Sequence, residues 1–383
     1  MYNLFESISI LVLYIVLAAG FKKSAKGEFH EDFMSLKVTK GLQGFAAVGI
    51  MLHHLVQSIT KYGEINYGPL NLFNDVGVLF AGMFFFFSGY GLMVSLETKP
   101  NYLDTFVKKR FPVILIPFYL VNLIFVVCNG VFNNLFIGEA IKPGEVMLAL
   151  SGFVLMNTHL WFIVEICVLY VLFYIIFRLI KNRNAAYAVM GICTVALIII
   201  SVLLGHDYES FSGGVWFKGE WWYNTTILFF IGMTIAKFKD AVFAAVKKHY
   251  AVFMTVGFVL FAVLFVLTRY VMMNHGYYTE TEVSMGYADK FITLIVQTLM
   301  AAAGILFFMM LTMKLQFSNK ILDFLGKISM ELYMLHNLFI MTMTDGMQYA
   351  DVNHYLITIY GCAILAAVAL HFIGGKILKS IKE

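Results

Sequence analysis

Apolar runs of about 20 residues follow one another along most of the chain, and runs of that length cross a bilayer as helices. They predict helices over roughly 4–21, 42–60, 75–96, 111–132, 160–180, 186–205, 222–238, 250–272, 290–313, 321–344 and 354–376, about eleven in all. The run 146–156 is apolar but short, and reads as a re-entrant or interfacial piece. The polar residues between runs alternate in kind. Lys22, Lys23, Lys26, Lys37 and Lys40 separate the first two runs, and Lys99, Lys108, Lys109 and Arg110 the third and fourth. Arg178, Lys181 and Arg183 follow the fifth, Lys237, Lys239, Lys247 and Lys248 the seventh, and Lys314 and Lys320 the ninth, while Lys376, Lys379 and Lys382 close the chain. The intervening loops hold acids such as Glu64, Glu139, Asp207, Glu280 and Asp351. Cationic loops stay in the cytoplasm, so the pattern predicts a multi-pass cell-membrane protein with its N-terminus outside and its C-terminus in the cytoplasm. A missed helix would swap every later loop, so the alternation also supports the span count.

Composition sharpens the class. Hydrophobic residues make up 61% and charged residues 13%, against about 25% charged in soluble domains. The expectation is an all-α, polytopic transmembrane helix bundle forming a single domain over 1–383, embedded in lipid and with no nucleic-acid partner. Cys128, Cys167, Cys193 and Cys362 fall in or beside apolar runs and read as small hydrophobes, with no metal site expected. The first apolar run lacks a basic flank before it, so it reads as a retained span and not a cleaved signal. The outer loops 203–224 and 273–289 are rich in Gly, aromatics and acids. An interfacial aromatic belt explains them, and a sugar-binding surface would too.

Polar side chains inside the runs narrow the chemistry, because at membrane depth they are costly unless paired or used. The segment "KGLQGFAAVGIMLHHLVQ", residues 40–57, carries Gln43 and His54 on one helix face, about 16 Å apart, with Ala47 and Ile50 between them. His53 points about 100° away from His54. The fifth run, "NTHLWFIVEICVLY", places His159 and Trp161 near its outer edge and Glu165 deeper. The tenth puts Ser329, Tyr333 and His336 on one face, with His336 in its outer half. His54, Glu165 and His336 are thus candidates to meet in the outer half of the bundle. A histidine oriented by a carboxylate is standard equipment for taking a proton from a hydroxyl. The alternative is that each bonds another helix and only holds the bundle together. Glu331 reads as an intrabundle partner, and Arg269 and His371 as structural or snorkelling groups. At the inner face, Lys108, Lys109 and Arg110 stand opposite Ser88, Gly89 and Gly91. They could hold donor phosphates, although cytoplasmic flanks are commonly basic in any case.

Five segments, in order, resemble the acyltransferase-3 family of integral-membrane acyltransferases. "LQGFAAVGIMLHH" is similar to its first core helix, with His54 at the position of the family's His. Gln43 stands where Arg is expected, a departure that weakens the case for anion binding there. "FFFFSGYGLM" resembles its Ser-Gly-Phe segment, with Tyr90 for the Phe. "KKRFPVILIPFY" resembles its basic stretch ending at Pro117 and Tyr119, with Ile114 in place of a second Arg. "HLWFIVEICVLY" and "LGKISMELYMLHNLFI" complete the set.

The resemblance implies a ten-helix core over 40–376, with 4–21 as an extra N-terminal helix. It implies transfer of an acyl group, most often acetyl from cytosolic acetyl-CoA, to a hydroxyl of an extracytoplasmic glycan, lipid-linked sugar or similar envelope molecule. On that reading His54 acts as general base or transient acyl carrier, and Glu165 or His336 orients it or protonates the leaving sulfur. Gln43, Ser88, Lys108, Lys109 and Arg110 would hold the donor, its thioester arm running along the Gln43–His54 stripe. His159, Trp161 and Tyr333 would meet the acceptor. The competing reading is a transporter or flippase of a lipid-linked or small polar substrate, against which stands the lack of paired Gly/Pro-broken helices in matching halves. A membrane sensor or scaffold is a third.

Overall fold

The computed structural model describes residues 12, 15–132, 142–152, 155–204, 220–276, 286–317, 319–344 and 346–382. In chain order the α-helices of eight residues or more are α1 (Leu36–Thr60), α2 (Gly77–Thr98), α3 (Phe106–Val131), α4 (Pro143–Ser151), α5 (Trp161–Leu179), α6 (Arg183–Leu204), α7 (Glu220–Lys237), α8 (Lys239–Lys248), α9 (Tyr250–Asn274), α10 (Tyr287–Thr312), α11 (Lys320–Lys327), α12 (Ser329–Met343) and α13 (Val352–Lys382). Among the described residues, eight of the helices are long and apolar enough to cross a membrane: α1, α2, α3, α5, α6, α9, α10 and α13. The protein is an all-α polytopic bundle, as the apolar runs predict. The predicted span 4–21 and the outer loops 203–224 and 273–289 lie wholly or partly outside the described residues. The short run 146–156 gives α4, nine residues long and unable to cross by itself.

One predicted span is corrected. Residues 321–344 are not one helix: the chain breaks at Ile328, between α11 and α12. The strongly amphipathic α11 starts at Asn319, whose Oδ1 accepts from Leu322 N at 2.8 Å, and buries Leu322, Leu325 and Gly326 while Ile321 and Phe324 stay exposed. Ser329 Oγ takes up the Gly326 carbonyl at the break, at 3.2 Å. The 15 residues of α12 that follow span about 22 Å.

Helix α1 is the axis of the bundle. In its most apolar window 83% of residues are buried, against 11% for α9 at the periphery. Ser35 caps its start by accepting from Val38 N, and Lys61 ends it in the left-handed conformation at φ 47°. Lys37–Asp323, Arg178–Asp104 and Lys247–Glu31 ion pairs gather at one end of the bundle, called the basic end below. There a two-stranded ladder, β1 (Lys22–Lys23) with β2 (Leu315–Gln316), ties the N-terminal stretch to the α10–α11 link. At the far end Arg269 pairs with the buried Asp75 and Thr60 donates to Asn74 Oδ1 at 2.9 Å. Helix α3 carries Pro112 and Pro117 in its interior. Each removes a backbone bond to the carbonyl four residues earlier, a loss tolerated where protein or a polar cavity surrounds the helix.

The closest backbone approach joins α2 to α7. A Cβ on Gly89 would lie 2.0 Å from Phe229 O, and one on Gly232 would lie 2.1 Å from Phe86 O. Without a hydrophobic drive between helices in lipid, such direct packing is what holds them. Gly89 is therefore used in packing and not as an opening. Gly89→Leu or Gly232→Val is expected to cost about 3 kcal/mol or more by forcing backbones apart. Thermal unfolding in detergent checks this, with Gly361→Ala, where nothing lies within 4 Å, as the unaffected control.

Candidate active site

Three histidines from three elements converge in the far half of the bundle: His54 on α1, His159 in the turn leading into α5, and His336 on α12. His54 Nδ1 lies 2.7 Å from His336 Nε2. The ring planes differ by 4° and the centroids are 5.0 Å apart. A nitrogen contact so much shorter than the centroid separation puts the rings edge to edge in one plane. His336 Nδ1 is in turn 2.6 Å from the Tyr333 carbonyl. A carbonyl only accepts, so this network assigns the proton of His336 to Nδ1 and leaves its Nε2 with a lone pair. His54 then donates from Nδ1, and its own Nε2 carries the free lone pair.

His159 stacks face to face on His54, with centroids 3.8 Å apart and planes 11° apart, and its Nδ1 has no partner among the described residues. Nitrogens of the three rings lie within 4.8 Å of one another, the spacing of a ligand set. Ring lone pairs lie in the ring plane, however, and those of two stacked rings run in parallel planes. They do not converge as a tetrahedral ion requires. The bonded chain instead runs from His54 through His336 and ends at the Tyr333 carbonyl.

A small polar network holds the cluster together. Asn157 is buried; its Oδ1 accepts from His159 N at 3.1 Å and Asn337 Nδ2 at 3.0 Å, and its Nδ2 donates to Met334 O at 3.0 Å. The Tyr333 hydroxyl donates to the His159 carbonyl. These bonds lock the start of α5 to the helix that carries His336. Asn157 and Asn337 were not among the candidates read from sequence, although Asn157 has the position of a helix-start cap, two residues before His159.

Other candidates lie elsewhere. Glu165 is fully buried, but its bonded partner is Thr226 on α7, and its Oε2 has no partner among the described residues. His53 turns away to the Phe73 carbonyl, 2.8 Å distant. Trp161 packs on Phe85, with ring centroids 6.0 Å apart. Glu331 pairs with His371 at 2.7 Å. The four cysteines are free and partly exposed.

At the basic end a cavity of about 550 Å³ opens between α1, α2, α3, α5, α12 and α13. Gln43, Ser88 and Tyr170 stand in its walls with the cations Lys40, Lys99, Lys109, Arg110 and Lys327. Ser88 is hydrogen-bonded to Tyr170, and Arg110 Nε donates to Tyr102 Oη at 3.1 Å. Lys108 is exposed and outside these walls. Toward its top the cavity is lined along α2, α5 and α12 by Phe84, Phe162 and Tyr333. It does not climb along Ala47 and Ile50, which are sealed in packing.

A family model described as an acyltransferase domain, that of the acyltransferase-3 family, matches residues 40–373. The chain belongs to that family. No curated protein and no solved structure matches it. This membrane acyltransferase therefore has a basic cavity at one end and a histidine pair in the other half.

Asn157→Ala removes three hydrogen bonds in one step. About 1–3 kcal/mol of stability is expected to go with them, along with a fall in turnover as His159 and His336 lose their common anchor. Unfolding and kcat measured side by side check it, with the donor KM expected to hold.

Proposed function

We propose that the protein moves an acyl group, acetyl first of all, from acyl-CoA to a hydroxyl of an extracytoplasmic glycan or lipid-linked sugar in the cell envelope. The basic end faces the cytoplasm on this reading, in line with the cationic loops. The observation that carries the proposal is the in-plane bond from His54 to His336, since it leaves His54 Nε2 as a free base.

The donor enters from the basic end. Its phosphates meet Lys109 and Arg110, aided by Lys40, Lys99 and Lys327, which share the cavity wall. Cations in a partly dry cavity hold phosphate strongly. The acceptor hydroxyl comes from the far side to His54 Nε2. His54 takes its proton as the oxygen attacks the thioester carbonyl. The carbon–sulfur bond breaks, and the proton passes from His54 to the departing thiolate, so none is gained or lost overall. Through the step His336 Nε2 accepts from the His54 imidazolium, and the Tyr333 carbonyl keeps His336 in the tautomer that allows this. Glu165 is one bonded layer away, on Thr226, and takes no part in this scheme.

Purified protein in liposomes, given labelled acetyl-CoA on one side and candidate glycans on the other, tests the reading. His54→Ala is expected to lower kcat by about 10²–10⁴, the usual worth of a general base. His336→Phe should fall in the same range with acetyl-CoA binding intact. Undiminished product from His54→Ala would refute the role. Arg110→Gln is expected to raise the donor KM about tenfold, a loss of roughly 1.4 kcal/mol, with kcat unaltered at saturation.

A further inference from the structure

The cavity and the histidine pair do not meet. None of the three histidines stands in the cavity wall. Between them lie three rings in mutual contact: Phe84 to Phe162 at 5.7 Å, Phe84 to Tyr333 at 6.4 Å and Phe162 to Tyr333 at 5.6 Å. All three line the cavity and are otherwise buried, Phe84 and Phe162 being 8% exposed and Tyr333 4%. On the other side the Tyr333 ring centroid is 6.0 Å from that of His336, and its hydroxyl is bonded to the His159 carbonyl. At Tyr333 the layer is one side chain thick. The route along α1 is shut as well, since Ala47 and Ile50 are 0% and 2% exposed.

We infer that Phe84 and Phe162, closed by the latched ring of Tyr333, are specificity-determining residues: an aromatic partition that a thioester must part to reach His54, and that passes short acyl groups while stopping long ones. The inference rests on the acyltransferase reading. The acyl group is the leading end of a donor whose phosphates stay among the cations, so it is the part that meets the rings. Phe162 is braced from behind by Phe85 at 4.7 Å, which limits how far it can yield. An acetyl group needs a small parting. A long chain needs volume that these rings fill, and an apolar site discriminates steeply on each extra methylene. The same layer keeps the thioester from His54, and so from water that this base would activate, when no acceptor is bound. Without it, water would attack the carbonyl, the carbon–sulfur bond would break, and a carboxylic acid and free coenzyme thiol would form.

The test needs no acceptor. Acetyl-, butyryl- and octanoyl-CoA compete with labelled acetyl-CoA for the purified protein, and thiol release is followed in parallel. The unaltered protein is expected to prefer acetyl over octanoyl by about tenfold or more, with little thiol release. Phe84→Ala and Phe162→Ala should bring that preference to within about twofold and raise thiol release about tenfold, while Phe162→Leu, which keeps most of the bulk, shifts neither far. Tyr333→Phe keeps the ring and removes only the latch. It should raise thiol release, and it stands in if the alanine variants fail to fold. Acetyl-CoA binding with an unchanged chain-length order and unchanged thiol release in the variants overturns the partition alone. Failure of every acyl-CoA to bind the unaltered protein overturns the donor assignment, and the partition with it.

Discussion

The hydrogen bond between His54 and His336 is the contact on which the candidate site depends. It joins residues 282 positions apart in sequence. Within hydrocarbon an imidazole without a partner is expensive, and no water stands by to serve as one. Here a chain of donors runs from His54 through His336 to the Tyr333 carbonyl and stops, because a carbonyl has no proton to pass on. That terminus fixes the tautomer of both rings. A backbone carbonyl on α12, one turn back from His336, therefore does the orienting of the pair.

Much of this was legible in the chain. Apolar length alone gives the class, and loop charge gives the end at which the cations gather. His54 and His336 stand out because ionisable groups rarely sit in such runs, and helical spacing puts Tyr333 beside His336. Helical periodicity names a face, however, and never the helix that faces it. Glu165 therefore looked like a partner for His54, while its neighbour is Thr226 on a helix whose start adjoins an outer loop. Lys108 and Arg110 read alike as basic residues, yet a turn of α3 sends one outside and the other into the cavity. The break at Ile328 was hidden because α11 is as rich in Leu and Ile as a spanning helix. Its polar face shows only once Gly326 is seen pressed against α1. The asparagine network was missed for a similar reason: its partners are mostly backbone atoms, which leave no trace in side-chain pattern.

Packing and chemistry divide the bundle between them. At Gly89 of α2 and Gly232 of α7 the backbones touch. Along α3, Pro112 and Pro117 interrupt the helix ladder, and Pro117 is itself in the cavity wall. The close contacts hold the helices in register, while the interrupted helix borders the cavity. Helix α1 serves both sides, bearing Gln43 at the cavity and His54 in the cluster.

The shortness of α12 has a consequence for the protein around it. A helix of about 22 Å cannot cross a hydrocarbon layer of about 30 Å, yet none of its residues is exposed, so protein and not lipid surrounds it. His336 is seven residues from the last residue of α12, which is about 10 Å of helix. Its ring nitrogens thus stand within about 10 Å of the end of a helix that protein, not lipid, encloses.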